Sequence, residues 1–236
     1  MTGTLINVAT VLVGGALGLL FGSRLSEKLR QTVIAGLGLF TLAFGIKMFI
    51  ETQNALIVLG SLLIGVVLGE WWQIEQALQN LGFWLEKRFN QSSVIPNENR
   101  FVRGFLTASL VFCVGPMAIL GSIQDGLTGN FETLLVKSIL DGFAALAFAS
   151  SLGSGVLFSA LVVFVYQGSL TLLAGQVQNV VSEGMMTELS ATGGVILLAI
   201  AVSNLLEILP IRSSNFLPAL IIAPLLVALM SALGLY

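Results

Sequence analysis

Residues 132–174 read ETLLVKSILDGFAALAFASSLGSGVLFSALVVFVYQGSLTLLA, and their length and apolar character set the class of protein. Two predominantly apolar segments, 132–151 and 153–174, meet within the short sequence SSLGSG, residues 150–155. Each segment reaches the roughly 20 residues that a helix needs to cross the hydrocarbon core of a membrane. Neither alternates apolar and polar residues, as the strands of a membrane β-barrel do. The stretch therefore predicts two membrane-spanning helices joined by a tight turn.

The rest of the chain repeats this pattern of long apolar segments. The further predicted spans are 4–22, 31–50, 54–72, 101–122, 189–209 and 215–235. Charged residues make up only 9% of the 236 residues, against roughly 25% in an ordinary soluble domain, and the mean hydropathy is +0.98. We predict an all-α integral membrane protein with about eight transmembrane helices. An alternative with seven spans, in which one segment around SSLGSG is fused or re-entrant, stays open.

Composition also narrows the function classes. The net charge is −2 at pH 7, so the chain offers no basic face for nucleic acid. It has no histidine, and Cys113 is its only cysteine, so zinc sites, disulfides and histidine-based catalysis lack their usual residues. No GxxxxGK[ST] sequence for binding ATP phosphates is present. We expect no metal and no cofactor, and we interpret Cys113 as a small buried residue.

Basic residues predict the orientation, because cytoplasmic loops carry an excess of Lys and Arg. If the amino terminus is outside, eight of the ten basic residues fall on the cytoplasmic side. These are Arg24, Lys28, Arg30, Lys87, Arg88, Arg100, Arg103 and Arg212. We therefore predict a multi-pass inner-membrane protein with both termini external.

The chain divides into three predicted parts. A first three-helix bundle covers 1–72, a cytoplasmic segment covers 73–100, and a second bundle with two additional C-terminal spans covers 101–236. Apolar residues recur at helical spacing in the middle part and predict an amphipathic helix in the plane of the inner leaflet; they are Ile74, Leu78, Leu81, Leu85 and Phe89. The polar sequence NQSSVIPNEN that follows is typical of a linker. A partner-binding role for the helix is an open alternative.

Short similarities suggest an internal repeat. VGGALGLLFG in span one is similar to VGPMAILGS in span four, TLAFG in span two to ALAFA in span five, and VVLGE in span three to VYQGS in span six. Spans one to three and four to six would then form an inverted repeat, as in many transporters, with spans seven and eight added. The alternative is that Gly- and Ala-rich helices resemble one another by composition.

Glycines in span one have a separate physical interpretation. Gly14, Gly18 and Gly22 are spaced four residues apart and therefore share one face of the helix. Such stripes let helix backbones approach closely in lipid. We expect them to mediate packing within one bundle, and a contact in a homo-oligomer stays an alternative.

Polar residues within this apolar chain mark the predicted site. Asp141 lies nine residues into span five, or roughly 14 Å, which is near the membrane midplane. Lys137 lies one helical turn earlier on the same face and can pair with it. Charges at this depth are costly and usually face a protein interior or a wet cavity. We predict an outward-opening pocket formed by Gln124, Asp125, Lys137, Ser138, Asp141 and Gln167. The alternative is that Lys137 and Asp141 merely neutralise each other.

Other polar residues have less specific interpretations. Asn204 and Glu207 lie at the inner end of span seven and are candidates for an inner gate, although we favour Glu207 as an interfacial anion paired with Arg212. Asn7 and Thr10 of span one are expected to form hydrogen bonds between helices.

Several of these sequences together resemble a known family. They are GSIQDGLTGN, LLVKSILDGFAALAFASSLGSGV, VYQGSL and NVATVLVGGALGLLFG. They are similar to the bacterial polytopic membrane family catalogued as domain of unknown function 554, and the resemblance implies an inner-membrane protein. DGFAALAFASSLG is more distantly similar to the Asp-Ala-Phe-Ala-x-Ser stretch of manganese exporters of the lysine-exporter superfamily. Here Gly142 replaces the alanine and Lys137 precedes the motif, which disfavours a divalent-cation site.

The function that these features favour is secondary transport of a small solute or ion, coupled to H⁺ or Na⁺, with no enzymatic activity. A passive channel shares most of the same features. An accessory protein that recruits a partner through residues 73–90 is a further alternative. An intramembrane aspartyl enzyme would need Asp125 and Asp141 as a dyad, and their unequal depths disfavour it.

Overall fold

A computed structural model describes residues 1–22, 26–89, 98–178 and 181–234. Within these ranges the chain is helical and contains no strand, which confirms the predicted all-α class. The helices are α1 (Thr2–Gly22), α2 (Glu27–Ile50), α3 (Ala55–Trp72), α4 (Ile74–Phe89), α5 (Glu98–Cys113), α6 (Pro116–Thr128), α7 (Glu132–Leu152), α8 (Gly155–Leu172), α9 (Ala174–Gln178), α10 (Glu183–Ile200) and α11 (Ala219–Ala232).

Seven spans among the described residues are long and apolar enough to cross a membrane. The number rises to eight if the broken pair α5–α6 is counted as one further span. The predicted tight turn is present: α7 ends at Leu152, α8 begins at Gly155, and Gly153 takes a positive φ of 88°. Glycine populates this region of backbone space without steric cost. The two neighbouring segments are therefore separate helices.

The predicted span 101–122 is not one helix, which corrects the sequence-based boundary. Its two halves, Arg100–Cys113 and Met117–Thr128, are inclined at 60° to each other. Pro116 stands at the start of the second half. Proline has no N–H to donate and pushes the preceding residue out of helical conformation. The break therefore follows from Pro116, which an apolar run alone does not reveal.

The predicted span 189–209 also ends differently. Helix α10 continues as a π-helical turn, Ala201–Leu205, and the residues that follow it are not helical. Glu207 has a positive φ of 52°, and Pro210 lies three residues further on. A short 3₁₀ turn, Ser213–Phe216, precedes α11. The helical part of this span therefore stops short of Glu207.

The middle segment forms the predicted helix, as α4. Leu85 of α4 is buried in a cluster with Phe101, Val102 and Phe105 of α5, so part of its apolar face packs against protein. Trp84 is 60% exposed. The position of α4 at the membrane surface stays a prediction. Most of the predicted linker NQSSVIPNEN, residues 90–97, lies outside the described residues, as does Arg24.

The chain forms two compact units, and each is assembled from segments that are separate in the sequence. Unit one comprises 1–37, 78–113 and 117–178, and it contains α1, α5, α6, α7, α8 and α9. Unit two comprises 38–77, 114–116 and 179–236, and it contains α3, α10 and α11.

In unit one, the glycine stripe of α1 packs directly against the backbone of α7. A Cβ added at Gly14 would overlap the carbonyl oxygen of Gly142, and one at Gly22 would lie 2.6 Å from the carbonyl oxygen of Ser150. Real Cβ atoms do not approach other atoms this closely. The stripe therefore serves packing within one bundle, as close approach of membrane helices requires.

Unit two contains a similar close contact. A Cβ at Gly65 of α3 would lie 2.6 Å from Ala219 of α11, and one at Gly45 of α2 would lie 2.7 Å from the carbonyl oxygen of Gly194 in α10. Small residues thus set the helix spacing in both units.

Candidate functional site

Asp141 is the centre of a buried polar network in unit one. Its Oδ2 atom accepts a hydrogen bond from Nζ of Lys137, with which it forms an ion pair. The two residues are one turn apart on α7, the spacing that favours such pairs. The same Oδ2 atom accepts a second hydrogen bond, 3.0 Å long, from Nδ2 of Asn7 on α1. One carboxylate oxygen therefore joins two helices.

Asn7 carries the network on to a third helix. Its Nδ2 atom also donates to Oε1 of Gln167 on α8, at 2.9 Å. Nε2 of Gln167 then donates to the hydroxyl of Thr4 at 3.4 Å, and this hydroxyl lies 3.3 Å from that of Thr171. The chain of contacts runs from Asp141 through Asn7 and Gln167 to two threonines.

Asn7, Lys137 and Gln167 lie at similar depth because each is about six residues from one end of its helix. Asn7 and Lys137 lie within the second turn of α1 and α7, respectively, and Gln167 lies in the second-last turn of α8. The chain directions therefore bring the starts of α1 and α7 to the end of α8. The predicted convergence of Gln167 with Lys137 and Asp141 follows from this arrangement.

The network is almost wholly enclosed by protein. Asn7 and Gln167 are 0% and 1% exposed, and Lys137 and Asp141 are 6% and 8% exposed. Polar groups in such surroundings are costly unless they are paired. The thiol of Cys113, at the end of α5, is close enough for electrostatic interaction with both charged residues. The break between α5 and α6 therefore lies near the ion pair.

Other residues predicted for the pocket make their contacts outside this network. Oδ2 of Asp125 accepts from the backbone nitrogen of Gly3 at 3.0 Å and from that of Met1 at 2.9 Å. Asp125 therefore caps the start of α1, where unpaired N–H groups favour a carboxylate. Gly3 precedes Asn7 by one turn, so Asp125 lies about 6 Å nearer the start of α1 than the network does.

Gln124 and Ser138 are likewise engaged in local contacts. Oε1 of Gln124 accepts from the hydroxyl of Thr133 at 2.7 Å. The hydroxyl of Ser138 donates to the backbone carbonyl of Leu134, one turn earlier on α7, at 2.6 Å. Of the predicted pocket, the contacts of the described residues join Lys137, Asp141 and Gln167.

The residues predicted for an inner gate, Asn204 and Glu207, lie in and after the π-helical turn that follows α10. Oδ1 of Asn204, in the π-helical turn, accepts from the hydroxyl of Ser203 at 2.8 Å. Glu207 lies in the non-helical segment after it and is exposed. Arg212 pairs at 2.8 Å with Glu70 at the end of α3, a partner that sequence spacing did not suggest.

Sequence reasoning missed two important residues. Asn7 was interpreted only as a source of hydrogen bonds between helices. Its amide side chain lies in the first span at the depth of Lys137, and this position could have identified it as part of the site.

Glu188 of α10 was not singled out at all. It is 0% exposed and accepts from the hydroxyl of Thr52 at 2.6 Å. The backbone nitrogens of Gln53 and Asn54 each donate to it at 2.9 Å. Glu188 therefore fixes the turn between α2 and α3.

Within the described ranges, no group of three or more His, Cys, Asp or Glu side chains is placed to hold a metal ion. What the unit-one network offers chemically is one carboxylate, one ammonium, two amides and two hydroxyls. Such a set can bind a proton or a small polar solute through hydrogen bonds and charge.

Known proteins of similar sequence are consistent with a membrane protein. The model of the family described as "Protein of unknown function (DUF554)" matches residues 2–228. The "Uncharacterized membrane protein YdfK" of Bacillus subtilis (strain 168) is 29% identical over 239 residues, which cover 100% of this chain and 99% of that protein. The "Uncharacterized protein YqgA" of Escherichia coli (strain K12) is 31% identical over 222 residues, which cover 94% of each chain. No solved structure matches the chain.

Proposed function

From the premise that the chain belongs to the DUF554 family of membrane proteins, we propose that it is a secondary transporter of a small solute or ion. The observation that carries this proposal is the buried network in which Asn7, Asp141, Lys137 and Gln167 connect three apolar helices. Ionisable residues within membrane-spanning segments are rare and usually belong to ion or substrate pathways. Amide side chains can also join membrane helices for packing alone, so the weight of the proposal lies on the buried pair of Lys137 and Asp141.

The burial of the network favours a transporter over a channel. A passive pore would keep its charged side chains in contact with a continuous column of water. Lys137 and Asp141 are instead nearly enclosed and bonded to each other. A site that is occluded by protein suits a carrier that opens to one side at a time.

The network is also unsuited to aspartyl catalysis. Two catalytic carboxylates must share one proton at short distance. Asp125 is bonded to the start of α1, whereas Asp141 is bonded to Lys137 and Asn7. This arrangement disfavours an intramembrane aspartyl enzyme.

The proposed localisation is the inner membrane, with both termini external and α4 on the cytoplasmic side. The excess of basic residues on one side supports it. In a Cys113→Ala background, we expect an impermeant thiol reagent added to whole cells to label a cysteine placed at Thr2. A cysteine placed at Ser92, which lies outside the described residues, should stay unlabelled. The reverse pattern would overturn the orientation.

Transport is tested with the purified full chain in liposomes. An H⁺ or Na⁺ gradient is imposed, and its dissipation is followed with pH- and Na⁺-sensitive dyes while amino acids, organic acids and inorganic ions are added in turn. We expect at least one added solute to accelerate dissipation, and Asp141→Asn to abolish that effect.

Glu132→Gln is the matched control for this experiment. Glu132 lies on the same helix, in its first turn, and is exposed, so its change should leave the rate near that of the wild type. If no gradient responds to any solute, or if Asp141→Asn transports normally, the proposal is wrong.

An accessory role is a second candidate, favoured by one observation. Trp84 of α4 is 60% exposed, and Lys87 and Arg88 follow it at the end of the same helix. Aromatic and basic residues of this kind are common in interfaces with proteins or lipid. Co-purification of one stoichiometric protein, lost in Trp84→Ala, would support this role.

A further inference from the structure

We propose that the coupling ion is a proton carried by Asp141, and that the amides of Asn7 and Gln167 reverse their orientation when Asp141 takes it up. The inference deepens the proposed function and rests on it. It is carried by the order of donors and acceptors in the contacts from Asp141 to Thr4.

With Asp141 ionised, the orientation of each amide is determined by its neighbour. The carboxylate can only accept, so Nδ2 of Asn7, and not Oδ1, must face it, at 3.0 Å. The same Nδ2 donates to Oε1 of Gln167 at 2.9 Å, which leaves Nε2 of Gln167 facing the hydroxyl of Thr4. Oδ1 of Asn7 is buried and has no hydrogen-bond partner among the described residues.

With Asp141 protonated, the same side chains can form hydrogen bonds in which donors and acceptors are exchanged. The neutral carboxyl group now donates its O–H, and half a turn of the Asn7 amide brings Oδ1 to accept it. A half-turn of Gln167 then lets Nε2 donate to Oδ1 of Asn7. The hydroxyl of Thr4 can donate as well as accept, so it can donate to Oε1 of Gln167.

The contacts from Asp141 to Thr4 therefore keep the same number of hydrogen bonds in both states. Thr4 then gives its one proton to Gln167, so its contact with Thr171 is kept only when the Thr171 hydroxyl turns away from the carbonyl of Gln167. One proton enters from water and binds Oδ2 of Asp141, one negative charge is lost, and no other covalent bond changes. In both orientations one end of the Asn7 amide faces the same unpartnered position. The hydrogen bonds thus accommodate both forms of Asp141, whereas Lys137 loses its counter-charge when the proton binds.

The same geometry disfavours Na⁺. A sodium ion needs several oxygen ligands directed at it. Oδ2 of Asp141 faces an ammonium group and an amide N–H, and Oε1 of Gln167 faces the same N–H group. These donors would repel a cation, whereas a proton needs only the one oxygen.

The ionisable groups around Asp141 come from three helices. Lys137 lies on α7 itself, Cys113 lies at the end of α5, and Tyr166 of α8 is near Cys113. Helix α1 has no ionisable side chain. Asp141 is thus the acid of this network, and Lys137 is its counter-ion.

The inference is tested by infrared difference spectroscopy on the full chain in liposomes, with the medium brought from alkaline to acidic pH. We expect a carboxyl C=O band that appears on acidification, moves when the protein contains ¹³C-aspartate, and is lost in Asp141→Asn. We also expect a side-chain amide band that changes at the same pH and moves when the protein contains ¹³C-asparagine. This second band should be lost in Asn7→Leu, and Glu132→Gln should retain both bands.

Each outcome has a defined meaning. If no band that depends on Asp141 titrates while the protein stays folded, the proton site is wrong. If the carboxyl band titrates without the amide band, the reversal of Asn7 and Gln167 is wrong. Neither result depends on finding a substrate. A transporter that responds to Na⁺ gradients and has an untitrated Asp141 would overturn this inference and leave the proposed function standing.

Discussion

Nδ2 of Asn7 lies 3.0 Å from Oδ2 of Asp141 and so connects α1 to α7 at a point where both side chains are buried. A hydrogen bond to a charged group contributes roughly 1.5–3 kcal/mol. We expect Asn7→Leu to lower the free energy of unfolding in detergent by about 2–4 kcal/mol, because the acceptor of Gln167 is left unpaired as well. Thr10→Val is the control, since Thr10 donates only to the carbonyl of Asn7 within its own helix. Equal losses in both variants would contradict the role of Asn7.

The ion pair predicts a non-additive double-mutant cycle. Removing one partner of a buried pair leaves the other uncompensated and costs about 3–5 kcal/mol. Asp141→Asn and Lys137→Met should each have this effect, and the double variant should be less destabilised than their sum because no unpaired charge remains. Transport should still be absent in the double variant. Additive stability losses would disprove the pair, and an active double variant would disprove the site.

The glycine stripe predicts strong sensitivity to a single methyl group. A Cβ at Gly14 would meet the backbone of α7, which cannot move aside as a side chain can. We expect Gly14→Ala to lower the thermal midpoint and to cost about 1–3 kcal/mol. Gly36→Ala in α2 is the matched control, because nothing lies within 4 Å of the added atom. The control should be neutral or stabilising, since alanine favours helix.

Glu188 predicts a local effect on the turn between α2 and α3. In Glu188→Gln an amide replaces one of the oxygens that accept from Thr52, Gln53 and Asn54, so we expect a loss of about 1–3 kcal/mol. Hydrogen exchange of the amides of Gln53 and Asn54 should become faster. Glu183→Gln, an exposed change on the same helix, should leave exchange unchanged. Unchanged exchange in both variants would show that Glu188 does not hold the turn.

Local features of the chain could be predicted from the sequence because they depend on neighbours in the chain. The hairpin of α7 and α8 follows from two apolar runs and Gly153, and the ion pair follows from the four-residue spacing of Lys137 and Asp141. The contact of Glu188 with residues 52–54 could not be predicted in this way. It joins positions far apart in the sequence, and neither side has a spacing that identifies the other.

The same limit applies to the predicted pocket. Asp125 was assigned to one pocket with Asp141, and in the structure its partner is the start of α1, near Gly3. Which helix end lies beside which carboxylate depends on helix packing. The break before Pro116 was missed for another reason. Membrane helices can tolerate proline when neighbouring groups satisfy the freed backbone atoms, so its presence alone did not establish a break.

The backbone contact of α1 with α7 limits how this protein can change shape. At Gly14, Gly18 and Gly22 the backbones of the two helices are in direct contact, with no room for a Cβ atom between them. In the transport cycle proposed above, we therefore expect α1 and α7 to move as one rigid body. Of the side chains in the network, Asn7, Lys137 and Asp141 would then move together. The site would open by a displacement of these three side chains relative to Gln167 on α8.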